Sequence, residues 1–258
     1  MKKLLLCKAF FKREWIIFRR YFFNSVGHLT TMYVIFLMMF SGFKWVGGNS
    51  LGFGDKIEGF VVGYIIWTFL YFCYSDVVYS IQSEASTGTL EQLYMSVHGF
   101  GWVMGMKILS NTLINLLLTG IMVYLITNTT GIHLNLDLVS ILIIAFFTML
   151  GALGIGFALG GLALIYKRIN SYLQIVQFFL IALVAVSVDT SPIIKFIPIA
   201  WGSNMLQYVM SGGWSITSFS ISSIIILVSV GVAHLLLGYG IYKLCEKKAM
   251  DAGVIGHY

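Results

Sequence analysis

Six continuous apolar runs divide the chain, at about residues 25–46, 59–80, 104–128, 138–165, 171–188 and 219–242. Each is long enough to cross the roughly 30 Å hydrocarbon core of a bilayer as a helix. Apolar and polar positions do not alternate through them, which is not the pattern of barrel strands. The pattern predicts an all-α membrane protein with six transmembrane helices, a single transmembrane domain over residues 1–258. Residues 1–24 precede the spans, which occupy 25–242, and residues 243–258 form a tail.

Ahead of the first run the period changes. Phe11, Trp15, Phe18 and Phe22 recur at the spacing of one helical face, while Lys8, Lys12 and Arg19 share another, with Arg13 and Arg20 at its border. A basic helix rich in aromatics lies in the headgroup plane, so an N-terminal amphipathic interfacial helix is expected. It serves as a lipid anchor or as a cytoplasmic elbow that also touches a partner subunit.

Composition sharpens this. The chain is 59% hydrophobic and 10% charged, against about 25% charged in soluble domains. Charge then orients it. Of the 16 lysines and arginines, only Lys44, Lys56 and Lys195 fall on one side of the six spans. The rest, including Lys107, Lys167, Arg168 and the clusters at both ends, fall on the other. The positive-inside rule puts both termini in the cytoplasm, and a cell membrane location follows. The net charge of +6 reflects this topology and contact with anionic membrane lipid, with no nucleic acid as partner. Cys7, Cys73 and Cys245 lie on the cytoplasmic side or within a span, so no disulfide is expected. The opening "MKKLLLC" has too short an apolar region for a signal peptide.

Two local signals concern packing. Gly156 and Gly160, extended by Ala152, form a small-xxx-small row that lets helices approach closely in lipid. The segment 189–214 holds both prolines, Pro192 and Pro198, yet is apolar. Ser191-Pro192 reads as a helix start. External re-entrant helices before the last span are expected there.

Soluble catalytic chemistry is thin. No Gly-Lys dipeptide exists, so no phosphate-cradling Walker loop can form. Gly48–Gly52 matches Gly-x-Ser-x-Gly, but in a loop rather than on a strand-to-helix elbow. His-Glu-x-x-His and Cys-x-x-Cys are missing, so no metal or catalytic residue is assigned. Polar rows inside the spans say more. Lys107, Asn111, Asn115 and Thr119 step by four, and Asn170, Gln174 and Gln177 share a face. In the second run Tyr64, Trp67, Tyr71 and Tyr74 form an aromatic stripe, with Asp76 below it. Each row is open to two readings, helix-to-helix packing or the lining of a path. As a lining, the aromatic stripe meets the amide row near a dimer axis, supplying π-faces and amide groups for an amphipathic substrate.

Between the second and third runs stands "EASTGTLEQLYMSVHGF", residues 84–100. Thr89 and Gln92 have the spacing of a capping box, Glu91 sits in the first turn, and Gly99 is a stop signal. Leu90, Leu93, Tyr94 and Val97 follow helical spacing. The expectation is a two-turn amphipathic helix held by the spans or by a docked protein, since two turns are marginal alone.

This loop resembles the signature of ABC-2-type permeases, the membrane subunits of bacterial and archaeal exporters, with Gly-Thr-Leu-Glu-Gln-Leu after an acidic residue. The resemblance extends to the basic lead-in helix, the six spans and the long external segment. Its form is closest to the drug- and antibiotic-export branch, although Val97 stands where that family often has proline. The resemblance implies a short cytoplasmic coupling helix docking on a separate nucleotide-binding ATPase subunit through Glu84, Gly88, Thr89, Leu90, Glu91 and Leu93. It further implies that the second and fifth spans border the pathway, and that a second permease copy or close paralogue completes it. ATP and Mg would belong to the partner chain, with no cofactor on this one. The expected function is export of an amphipathic or hydrophobic substrate, the alternative being export of a polysaccharide or lipid-linked glycan. An intramembrane hydrolase would need a facing serine and histidine, and a secondary transporter would need midplane ionisable pairs or inverted repeats. Neither pattern stands out.

Overall fold

A computed structural model describes residues 2–47, 54–97, 99–167, 169–186 and 192–252. Among them there are nine α-helices and no strand: α1 (Lys2–Arg20), α2 (Phe22–Gly47), α3 (Gly54–Ser86), α4 (Leu90–Tyr94), α5 (Phe100–Thr130), α6 (Leu138–Tyr166), α7 (Asn170–Ala185), α8 (Ala200–Met210) and α9 (Ile221–Asp251). A 3-10 turn covers Pro192–Phe196. The Gly48–Gly52 pattern, Ser191 and the last six residues of the tail lie outside the described residues.

Five helices, α2, α3, α5, α6 and α9, are long and apolar enough to cross a membrane. The run expected as a further span, 171–188, is the 16-residue helix α7. At 1.5 Å per residue it covers about 24 Å, short of the hydrocarbon thickness. The aromatic lead-in helix forms as α1, stops at Arg20 and turns at Tyr21 into α2.

The core is organised on α3, whose aliphatic and aromatic residues are buried along nearly its whole length. α6 lies against it and against α9. Glycine makes both approaches possible, because association in lipid rests on close backbone contact. A Cβ at Gly156 would stand 2.8 Å from the Tyr74 carbonyl oxygen of α3, and one at Gly154 would overlap the His234 carbonyl of α9. Ala152 is fully buried in the same row.

Polar contacts also set the path of the chain around α3. The Gln82 side-chain amide reaches the Lys167 carbonyl over 3.5 Å, and a Cβ at Gly63 would lie 3.8 Å from Val184. α7 therefore runs antiparallel to α3 from the α4 end up to the level of Gly63. α8 is pinned to the end of α7 and to α9: Gln207 donates to the Val184 carbonyl over 3.1 Å and Asn204 to the Val186 carbonyl over 2.8 Å, while Trp201 donates to the Ser223 carbonyl of α9 over 3.0 Å. α8 starts beside Thr148 and Gly151 of α6 and ends where the Asn135 amide bonds the Met210 carbonyl. It rises alongside the first half of α6. At its foot Ile199 has φ +75, a costly conformation for a β-branched side chain.

Candidate functional site

The last turn of α3 carries Glu84, and around it α1, α4 and α5 converge. The Lys107 ammonium of α5 donates to Glu84 Oε1 at 2.7 Å, and the Thr89 hydroxyl donates to Oε2 at 2.5 Å. Arg13 of α1 approaches Oε1 at 4.0 Å. Glu84 and Lys107 are both buried, so each needs the other. Next to them Glu14 of α1 is buried with Oε1 lacking a hydrogen-bond partner. Burial pushes its carboxyl pKa up, against the pull of Arg13 and Lys107. An open recess of about 380 Å³ lies here, lined by Phe10, Arg13, Glu84, Thr89, Gln92 and Lys107 among others.

The Thr89–Gln92 capping box does not form. Thr89 is the residue before α4 but makes no side-chain cap bond. Its hydroxyl is engaged by the Glu84 carboxylate, a charged acceptor that outcompetes a backbone amide. The helix also ends sooner than expected, at Tyr94 with Met95 as its cap, and Gly99 opens α5 instead of closing α4. Gly88, at φ +70, supplies the left-handed turn from α3 into α4.

α4 is held from within the bundle. Leu90 is fully buried, and Leu93 half-buried. The Tyr94 ring stacks on Phe100 at 4.7 Å, and Phe100 stacks on Tyr242 of α9 at 5.3 Å. The Tyr94 and Tyr242 hydroxyls bond at 2.5 Å, and burial raises the Tyr94 phenol pKa, keeping it neutral. The opposite side is open. Glu91 and Gln92 are exposed, Met95 is 77% exposed and Val97 99%.

The aromatic stripe of α3 faces α2 and α7. Tyr64 donates to the Met32 carbonyl at 2.6 Å, Trp67 Nε1 to the Gln177 carbonyl at 3.1 Å, and Tyr74 to the Leu173 carbonyl at 3.0 Å. Tyr71 is half-buried between them, its ring 5.7 Å from Tyr74. Trp67 and Tyr74 thus bond the backbone of α7, and Tyr64 that of α2. The Asn170 and Gln174 side chains are exposed and Gln177 is half-buried. Above Trp67 a cavity of about 380 Å³ opens between α2, α3, α7 and α8, lined by Met39, Phe60, Tyr64, Trp67, Ile181 and Gln207 among others.

The polar row of α5 divides. Lys107 serves Glu84, while Asn115 donates to Asp76 at 2.6 Å, which gives that acid a partner inside the bundle. Asn111 is half-buried, and Thr119 is buried with its hydroxyl unpaired. Sequence reasoning missed Glu14, the Glu84–Lys107 pairing and the Tyr94–Tyr242 contact. A lone acid and a lone base, each near the end of an apolar run, were the available signal for the second. Among the described residues no group of His, Cys, Asp and Glu is placed to hold a metal ion. No family model matches the chain, and no curated protein matches it either.

Proposed function

We propose that this chain is the permease subunit of an ATP-driven exporter, with α4 and its flanking turns docking on a separate ATPase subunit. The observation that carries this reading is the two-sided character of α4. One side is locked to the spans through Leu90, Tyr94 and Glu84, and the other presents Glu91, Met95 and Val97. A short helix tied through Thr89 to Glu84 of α3, whose carboxylate also pairs with Lys107 of α5, can pass a push to α3 and α5 together. Glu84, Gly88, Thr89, Leu90 and Leu93 then hold the element in shape, and Glu91 contacts the ATPase. ATP and Mg reside on that partner.

The remaining features agree with this role. α7 travels from the level of Gln82 to that of Gly63 and serves as a sixth crossing. α8 then re-enters from the outer side, and both termini are cytoplasmic in a cell membrane. The exposed faces of α2 (Met38, 70%) and α7 (Phe178, 71%) suit a second permease copy or close paralogue. The cavity at Tyr64 and Trp67 opens toward that seam, with Gln207 as the amide on its lining and Asn170 and Gln174 exposed further along α7, a setting for an amphipathic or hydrophobic substrate.

The test is ATP-driven transport by the complex purified from native membranes through a tag on this chain. Glu91→Arg should leave this chain folded while lowering the co-purifying ATPase at least tenfold. Unchanged ATPase recovery and transport would remove α4 from the docking role.

A further inference from the structure

On the face of α3 away from the aromatic stripe a second cavity, of about 450 Å³, lies between α3, α5, α6 and α8. Its walls include Ile66, Phe69, Thr119, Val123, Leu138 and Ala145, and no charged residue lines it. Leu138 to Ala145 spans about 10 Å along α6, so the cleft is elongated. Its side is open to the bilayer, since Leu138 and Leu142 are 65% and 47% exposed. At Gly120 an added Cβ would meet nothing within 4 Å, which leaves the wall of α5 hollow there.

Thr119 is the one polar side chain on that wall, and its hydroxyl is buried without a hydrogen-bond partner. This is a departure from the rest of the molecule. Every other described threonine within an α-helix donates to the carbonyl four residues back, as Thr68, Thr112 and Thr148 do at 2.9, 2.9 and 2.7 Å. A buried hydroxyl without a partner in an apolar setting is costly. Helical threonine divides between two χ1 wells, so the hydroxyl has a second position open to it.

We propose that this cleft binds an elongated, uncharged amphiphile bearing one hydrogen-bonding group, such as a long-chain alcohol or ester, with the Thr119 hydroxyl as its polar contact. The absence of charge on the lining excludes ionised ligands, because a charge there would cost roughly 2.5–3.5 kcal/mol. A plain hydrocarbon fits the walls but leaves Thr119 unpaired. The site is separate from the cavity at Trp67, and it does not depend on the chain being a transporter.

The test uses the full chain in lipid nanodiscs and a diazirine-bearing octanol as photolabel, with labelled residues read by mass spectrometry. Labelling is expected at Phe69, Thr119 and Val123, displaced by decanol at a roughly 3–10-fold lower concentration than by decane, the worth of one hydrogen bond. Thr119→Val, which keeps the shape, should erase the difference between the two competitors, and Thr119→Ser should restore it. The proposal is overturned if labelling at the cleft does not exceed that at the exposed Leu117 and Tyr124. It is equally overturned if decane competes as well as decanol in the unmodified chain, or if Thr119→Val leaves the difference intact.

Discussion

Lys107 donates to Glu84 over 2.7 Å, joining the start of α5 to the last turn of α3 beside α4. Both residues are buried, so removing one strips the other of its closest ion-pair partner, leaving Glu84 only the more distant Arg13 at 4.0 Å. Lys107→Met or Glu84→Gln alone should cost about 3–5 kcal/mol, seen as a clear fall in melting temperature in nanodiscs. The double variant should recover much of the loss, because two neutral groups replace two charges. A double variant as unstable as the sum of the singles would mean that the two residues act independently.

Glu14 offers a pH test. Its folded pKa is raised above the ordinary 4.5 by burial, so the folded protein binds the proton more tightly than the unfolded chain. Its contribution is therefore most favourable below 4.5 and is lost as pH rises through the raised value. Glu14→Gln should raise the melting temperature at neutral pH and give little change below 4.5. A gain of the same size at both pH values would contradict the assignment.

The α6–α9 contact makes a sharp prediction on one helix. A Cβ at Gly238 would overlap the Gly154 backbone, whereas one at Gly240 meets nothing within 4 Å. Gly238→Ala should cost a few kcal/mol and lower the yield of folded protein. Gly240→Ala should be neutral or stabilising by up to about 1 kcal/mol, the helix-propensity gain. Thermal melts of the two variants decide it.

Trp67 and Gln174 separate stability from substrate recognition. Trp67 is buried and bonded to α7, so Trp67→Ala should cost about 3–5 kcal/mol. Gln174 is exposed, so Gln174→Ala should melt like the parent while changing which substrates stimulate ATP hydrolysis. If Gln174→Ala leaves the substrate profile unchanged, the amide row has no part in the pathway.

The long apolar runs and the Gly156–Gly160 row were legible in the sequence because they follow local rules of length and spacing. Contacts between distant residues were not. Thr89 and Gln92 have capping-box spacing, yet the Glu84 carboxylate, five residues upstream, takes the hydroxyl. Tyr94 looked like part of an apolar stripe, but its hydroxyl meets Tyr242, 148 residues away. The stripe from Tyr64 to Tyr74 was visible as a row, though nothing local indicated that two of its members, Trp67 and Tyr74, would bond carbonyls of α7. The extent of α7 was hidden for a related reason. Hydropathy continues past Ala185 while the helix stops there, and beyond it Asn204 holds the Val186 carbonyl.

The central claim is that the exposed side of α4 and its exit turn meets a nucleotide-hydrolysing partner. The most direct measurement places benzoylphenylalanine at Val97, 99% exposed, in the full chain within native membranes, followed by irradiation and mass spectrometry. The account predicts an adduct with a chain that carries a Walker phosphate loop, and none from the same label at Trp45, 90% exposed at the far end of α2. Adducts from Val97 to lipid alone, or the same adduct from Trp45, would contradict it.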